Sequence, residues 1–260
     1  MAAGKNRQDS CFTRCDAIDW NDYSRKGLLR AVIDPKDELG FKNILIDRIH
    51  WDCLKMAIMG TKNLIDFGCG TGRFSKRIAN LGIGYTGVDL SEGMIQVAKK
   101  HNPDLEEMFF KTDENLLPFA DNSFDVCITS YVLQHFLKAD NTQIFSEISR
   151  VVAPDGLVVS IEQASLCNKS SEMVGESASE ADYIEKLSYF GRDISVNRIR
   201  NGNPTLASRV ALHFATMLPF AFILSLLSSI ERMAVAKKND IALAESSYYD
   251  VLLIVRRNGK

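Results

Sequence analysis

The residues best equipped for chemistry begin in the stretch Asn63–Phe74, NLIDFGCGTGRF. An apolar run ends there in Asp66 and is followed by glycines at 68, 70 and 72. A glycine turn between a strand and its helix lets backbone approach a ligand that side chains would hold off. Two more acids follow at the ends of strand-like segments, Asp89 in GYTGVDL and Asp113 in MFFKTD. A carboxylate at such a strand end can accept both hydroxyls of a ribose, and an acid one strand further can accept from an exocyclic adenine amine. Taken singly, each has a plain alternative: a tight turn, a neighbour of the helix N-cap Ser91, an exposed turn residue. Three acids at three successive strand ends point instead to a nucleoside-bearing ligand. A dinucleotide fingerprint would place its third glycine at position 73, where the chain has Arg73. A nicotinamide-dependent oxidoreductase is therefore the alternative that Arg73 opposes.

Candidate acid–base groups lie further along. His135, in YVLQHF just past a fourth strand, sits on the ligand side of the sheet, although a packing role in the next helix accounts for it equally well. Glu162, at the end of the strand LVVSIEQ, is the second candidate base. Tyr23 and Trp20, in DWNDYS, suit either a lid over the ligand or the face of an amphipathic helix. No metal is expected: His50, His101 and His213 lack partner spacing, and the cysteines at 11, 15, 53, 69, 127 and 167 complete no ligand set.

These residues need a scaffold, and the pattern supplies an alternating one. Strands are expected at 63–67, 84–90, 108–113, 124–130 and 157–163, with helices at 72–81, 91–101 and 141–152 between them. Helices precede the first strand, with Ile44, Leu45, Ile49, Leu54 and Ala57 at helical spacing. Such alternation predicts a parallel sheet covered on both faces. Three regions follow: N-terminal helices and lid over 1–60, a ligand-binding core over 61–165, and an acceptor cap with closing strands of the same domain over 166–260. The strands DISVNRIR and YYDVLLIVRR flank an apolar block, Val210–Ile230, of 21 residues with no charged side chain. Its length nominally suffices to cross a bilayer, but Pro219 splits it and Ser225, Ser228, Ser229 and Arg232 form a polar stripe. A helical cap over the acceptor pocket, a homodimer face and a peripheral membrane contact remain its open uses. The net charge of −2 argues against a nucleic-acid partner. The polar first twenty residues and the scattered cysteines fit a reduced cytoplasmic setting, with membrane association open.

In combination these segments resemble the class I S-adenosylmethionine-dependent methyltransferases, in the subgroup that methylates small molecules. LIDFGCGTGRFS looks like their glycine-rich motif, GVDLSEGMI like the ribose-binding segment, and DENLLPFADNSFDVCITSYVLQHF like the region that follows. The resemblance covers about Leu64–Gln163. It implies a Rossmann-like, doubly wound, seven-stranded, mostly parallel sheet with one antiparallel strand, and S-adenosyl-L-methionine as cofactor. It places Asp66 and Gly68 beside the methionine part, with Cys69, Gly70 and Gly72 giving close backbone approach. Asp89 would hold the ribose, Leu90 and Met94 would lie by the adenine, and Asp113 would meet the adenine amine. Glu114 would offer backbone beside the ring, where the family has alanine. Ser130 would sit below the methionine carboxylate, with Tyr23 folding over. The expected activity is methyl transfer, at oxygen, to a small-molecule or lipid-linked acceptor. IDPKDELGFKNILIDRIH together with the apolar block is similar to methyltransferases of cell-surface glycan assembly, which implies a saccharide. A non-catalytic scaffold of the same fold is the remaining alternative, and the intact acid and glycine set opposes it.

Overall fold

The computed structural model describes residues 19–112, 116–137, 142–165, 178–202, 220–237 and 248–258. Asp113, Glu114, His213 and Pro219, the cysteines at 11, 15 and 167, and residues 166–177 lie outside these residues.

Two helices, α1 (Trp20–Ser24) and α2 (Phe41–Ile58), precede β1 (Asn63–Phe67). The sheet then alternates with helices: α3 (Ser75–Ala79), β2 (Gly84–Asp89), α4 (Glu92–His101), β3 (Phe109–Lys111), β4 (Phe124–Ser130), α5 (Thr142–Val151) and β5 (Val152–Ser165). The chain closes with α6 (Glu180–Leu187), β6 (Ile194–Asn201), α7 (Phe220–Lys237) and β7 (Tyr248–Arg256). The seven strands lie in the order β3-β2-β1-β4-β5-β7-β6. All pairings are parallel except those of β7, which runs antiparallel to both β5 and β6. This is the doubly wound sheet expected from the alternation. Its order reverses between β1 and β4, where such sheets open a crevice at their carboxyl ends.

Successive residues of β1 feed opposite layers, as the period of a strand requires. Leu64 joins a core with Leu54, Ile58, Ile78 and Ile95 from α2, α3 and α4. Ile65 joins the other core, with Ile148 and Val151 of α5 and Leu187 of α6. Both faces are covered, so the strand reads as an unbroken apolar run.

Differences from the sequence reading sit at element ends. The helix expected over 72–81 shrinks to Ser75–Ala79, because the positive φ of Gly70, Gly72 and Gly82 breaks the chain on either side. The third strand loses Met108 to a 3₁₀ turn over Pro103–Met108, which Pro103 opens. The fifth strand gains length at both ends: β7 pairs with it out to Ser165, and Val152 pairs with Phe124 of β4.

The described part of the apolar block, α7, packs on α2: Leu227 meets Leu45 and Ile49, and Ser228 donates to Asp52 at 2.8 Å. The polar stripe noted above therefore has a partner, Asp52, with Arg232 3.9 Å away. Among the described residues, no helix is long and apolar enough to cross a membrane.

Behind the crevice lies a buried polar cluster that the sequence did not announce. Asp250 of β7 accepts from Arg200 at 2.6 and 3.1 Å, and it pairs with His50 Nε2 at 2.9 Å. Arg73 reaches the other ring nitrogen of His50 at 3.2 Å, so Nδ1 accepts and Nε2 carries the proton. Burial lowers the histidine pKa, while Arg200 and His50 overcome the burial of Asp250 and hold its carboxyl well below the usual range. Replacing Asp250 with alanine would strand a buried guanidinium, at a cost of about 3–5 kcal/mol. Urea unfolding of Asp250→Ala should show that loss in the transition midpoint; an unchanged midpoint would make the cluster incidental.

Candidate active site

The crevice holds one cavity, of about 1220 Å³ counted out to its mouth. Its floor is made by the carboxyl ends of the central strands: Phe67, Val88, Asp89, Ser130 and Gln163. Gly68, Gly70, Leu90, Met94 and Thr112 form one wall. Tyr131, Val132, Gln134, His135 and Phe136 form another, and Trp20, Tyr23, Ala31, Val32, Ile33 and Pro35 cover the opening.

The glycine loop is a cradle that only glycines can make. Gly68, Gly70 and Gly72 have φ of 72°, 53° and 70°, in the left-handed region that side chains avoid. A Cβ on Gly68 would overlap Val132, and one on Gly70 would come within 2.7 Å of Val32. The loop hangs from β2: the N–H groups of Gly68 and Cys69 both donate to Val88 O at 2.9 Å. Gly70 N–H donates to Asp89 Oδ2 at 2.8 Å, and Ser91 N–H donates to Oδ1 at 2.9 Å. Burial raises the Asp89 pKa against these backbone donors. Leu90 lines the cavity while still 39% exposed, a flat apolar surface at its edge.

Asp66, Cys69 and Gly72 are not among the residues lining the cavity. Asp66 is buried, accepts from the Tyr85 hydroxyl at 2.9 Å and lines no part of the cavity. Burial pushes its carboxyl up to about 7. Cys69 is buried beside Tyr85, and Gly72 faces Phe109.

His135 lies on the cavity wall, on a 3₁₀ turn over Leu133–Phe136. Its Nε2 is buried with no hydrogen-bond partner, and its ring is held by the Tyr131 carbonyl. Burial pushes its pKa down to about 4, so the ring is neutral at physiological pH with a bare lone pair on Nε2. Trp20 meets it edge-on, with ring centroids 5.4 Å apart. Glu162 does not reach the cavity. It is fully buried, and its Oε1 accepts from the N–H groups of Val132 and Leu133 at 3.2 and 3.0 Å. The carboxyl of Glu162 thus bonds to the backbone of the turn after β4, and Glu162 is not among the residues lining the cavity.

Tyr23 and Trp20 both sit over the opening. Their helix is pinned to α4 by Asn21, whose side-chain oxygen meets Ser91 Oγ at 3.0 Å and accepts from Gly93 N–H at 2.9 Å. Ser130 lines the cavity and accepts from Arg73 at 2.6 Å. Among the described residues, the lining includes Trp20, Tyr23, Ala31, Val32, Ile33 and Pro35 from ahead of the first strand and none from α7. Among the described residues, no group of His, Cys, Asp and Glu could hold a metal ion.

Residues 65–160 match the family profile described as a methyltransferase domain. The chain is 35% identical over 116 residues to the demethylmenaquinone methyltransferase of Renibacterium salmoninarum, covering 44% of this chain and 47% of that protein. It is 34% identical over 146 residues to the malonyl-[acyl-carrier protein] O-methyltransferase of Buchnera aphidicola, covering 54% and 58%. The matches thus span about half the length of these curated relatives. The fold is similar to that of phosphoethanolamine N-methyltransferase 2 of Haemonchus contortus, solved with S-adenosyl-L-methionine. That likeness has a TM-score of 0.56 at 18% identity and covers 94% of this chain and 60% of the other. Residues 65–160 are thus similar to a methyltransferase domain, in agreement with the resemblance read from the glycine loop and the strand-end acids.

Proposed function

We propose that the protein transfers a methyl group from S-adenosylmethionine to the hydroxyl of a small or lipid-linked acceptor. The observation that carries this reading is the placement of the His135 Nε2 lone pair, buried and unpartnered, in the same cavity as the glycine cradle. The cofactor supplies a carbon already activated by its sulfonium. The chain supplies alignment, exclusion of water and a proton acceptor. Asp89, with Leu90 and Met94, is the ribose and adenine end in this reading, and Ser130 and Gly68 mark the methionine end. Asp113 and Glu114 keep their proposed adenine roles from sequence alone.

A base with a pKa of about 4 suits such a transfer. A neutral hydroxyl becomes a strongly acidic oxonium as its bond to carbon forms, so a weak base takes that proton readily. His135 also orients the hydroxyl by accepting its hydrogen bond beforehand. Trp20, Ala31, Ile33 and Pro35 present apolar surface over this end, which favours a hydrophobic acceptor or the lipid-proximal part of a lipid-linked one. The peripheral membrane or homodimer contact expected of the apolar block has its described candidate in α7, where Leu226 and Met233 are exposed.

Asp89→Ala is expected to weaken binding of S-adenosylmethionine and its demethylated product about ten- to a hundredfold. The lost charge-assisted bonds are worth roughly 1.5–3 kcal/mol. Calorimetry on the folded variant checks it, and unchanged affinity would remove the ribose assignment. The activity itself is tested by incubating the protein with methyl-labelled cofactor and a lipid extract of the producing cell. Label in an alkali-stable ether supports hydroxyl transfer; label in an alkali-labile ester would move the reaction to a carboxylate.

A further inference from the structure

Glu162 is the most constrained carboxyl beside the cavity, and its bonds all go to the chain. It is completely buried at the carboxyl end of β5. One oxygen, Oε1, collects the N–H groups of Val132 and Leu133 at 3.2 and 3.0 Å and the Ser160 hydroxyl at 2.9 Å. Gln134 N–H also bonds to this carboxyl. The other oxygen, Oε2, has no partner. Three successive backbone donors converging on one point make a concavity for an anion. Here the chain fills that concavity with its own side chain.

The turn these donors belong to has reason to need holding. It begins at Tyr131, a non-glycine residue with φ of 59°, a conformation that persists only where its surroundings impose it. Tyr131 N–H donates to Ile161 O at 2.8 Å, and His135 N–H closes the turn on Val132 O at 3.1 Å. The same turn carries Val132, which packs against Gly68, and His135, whose ring is tied to the Tyr131 carbonyl.

We propose that Glu162 is a positioning residue: by clamping the N–H groups of residues 132–134 it sets both the ring of His135 in the cavity and Val132 against the glycine loop. It acts through His135 and touches no reactant, so what it supplies is acceptor geometry, not a proton. The inference rests on the role given to His135 above, yet its test needs neither cofactor nor acceptor.

The test is the pH titration of His135 followed by nitrogen NMR of the histidine side chains. It uses the full chain, with a His135→Gln sample to assign the resonance. In the unaltered chain His135 should titrate near 4, with Nε2 unprotonated above that pH. Glu162→Gln keeps an oxygen for the same donors, and His135 should titrate there as in the unaltered chain. Glu162→Ala and the shorter Glu162→Asp release the turn, and His135 should move up toward the ordinary value of about 6.5 as water reaches its ring. Trp20 and the Tyr131 carbonyl are the groups that otherwise face the ring, and none of these variants touches them. Folded Ala or Asp variants in which His135 still titrates near 4 would overturn the proposal. So would a Gln variant shifted as far as the Ala one, because the carboxyl would then matter for its charge and not for its reach. If the Ala and Asp variants do not fold, a folded Gln variant whose His135 titrates near the ordinary value of about 6.5 overturns the proposal.

Discussion

Gly68→Val is expected to reduce S-adenosylmethionine affinity by more than about a hundredfold. Gly68 holds a φ of 72°, which a β-branched residue adopts only under strain of about 1–3 kcal/mol. Its new Cβ would also overlap the Val132 side chain, and overpacking of that kind costs about 1–3 kcal/mol more. Relief must come from moving the loop or moving the 131–136 turn, and either movement deforms the cradle between them. The two costs together come to about 2–6 kcal/mol, against the roughly 2.7 kcal/mol that a hundredfold change requires. Calorimetric titration, with circular dichroism to show that the variant is folded, reads the result. Affinity within a few-fold of the unaltered chain would mean that ligand does not lie over Gly68. Gly82→Ala is the control: it too has positive φ, at 76°, but nothing lies within 4 Å of its added carbon, and it is remote from the cavity lining.

His135→Ala carries the second large effect, on turnover and not on cofactor affinity. Removing a positioned proton acceptor costs about 10²–10⁴-fold in rate. Asp89, Leu90 and the glycine loop are untouched, so titration with S-adenosylhomocysteine should give nearly unaltered affinity. In its proposed role the same residue would set the acid limb of the pH–rate profile. Burial depresses the folded pKa to about 4, so His135 is competent above that value and loses its lone pair as the pH falls through it. The rate of label transfer should therefore hold between pH 6.5 and 5, where an ordinary histidine would already be failing. A full-rate His135→Ala enzyme, or an acid limb centred at the ordinary histidine pKa, would transfer the proton to another group.

Much of this arrangement was legible in the chain because local rules agree with the global fold. Glycines 68, 70 and 72 announce the cradle, since positive φ at alternate positions admits little else. Asp89 could be placed because it ends an apolar strand just before the N-cap Ser91, and both facts are local. Asp66 shows where such reading stops. Its position in β1 was clear, but whether its carboxyl faces ligand or core depends on Tyr85, a residue on another strand that reaches it across the sheet. His50 looked structural or superficial from its spacing alone. Its partner Asp250 is 200 residues away, and no periodicity connects positions that far apart. The cover over the cavity was assigned to the apolar block because its hydrophobicity is conspicuous. Among the described residues, the lining also includes Ala31, Val32, Ile33 and Pro35, a run too short to stand out. Glu162 was read correctly as a strand-end acid, and only the backbone path of residues 131–134 shows that it turns away from the cavity.

The central claim is that the glycine cradle and Asp89 form a site for S-adenosylmethionine in this chain. Isothermal titration of the purified protein with S-adenosylhomocysteine, with NAD in a parallel titration, tests it most directly. The account predicts saturable one-to-one binding of S-adenosylhomocysteine, weakened by Asp89→Ala, and no heat of binding with NAD. A folded protein that binds NAD, or that leaves S-adenosylhomocysteine unbound at millimolar concentration, would contradict it.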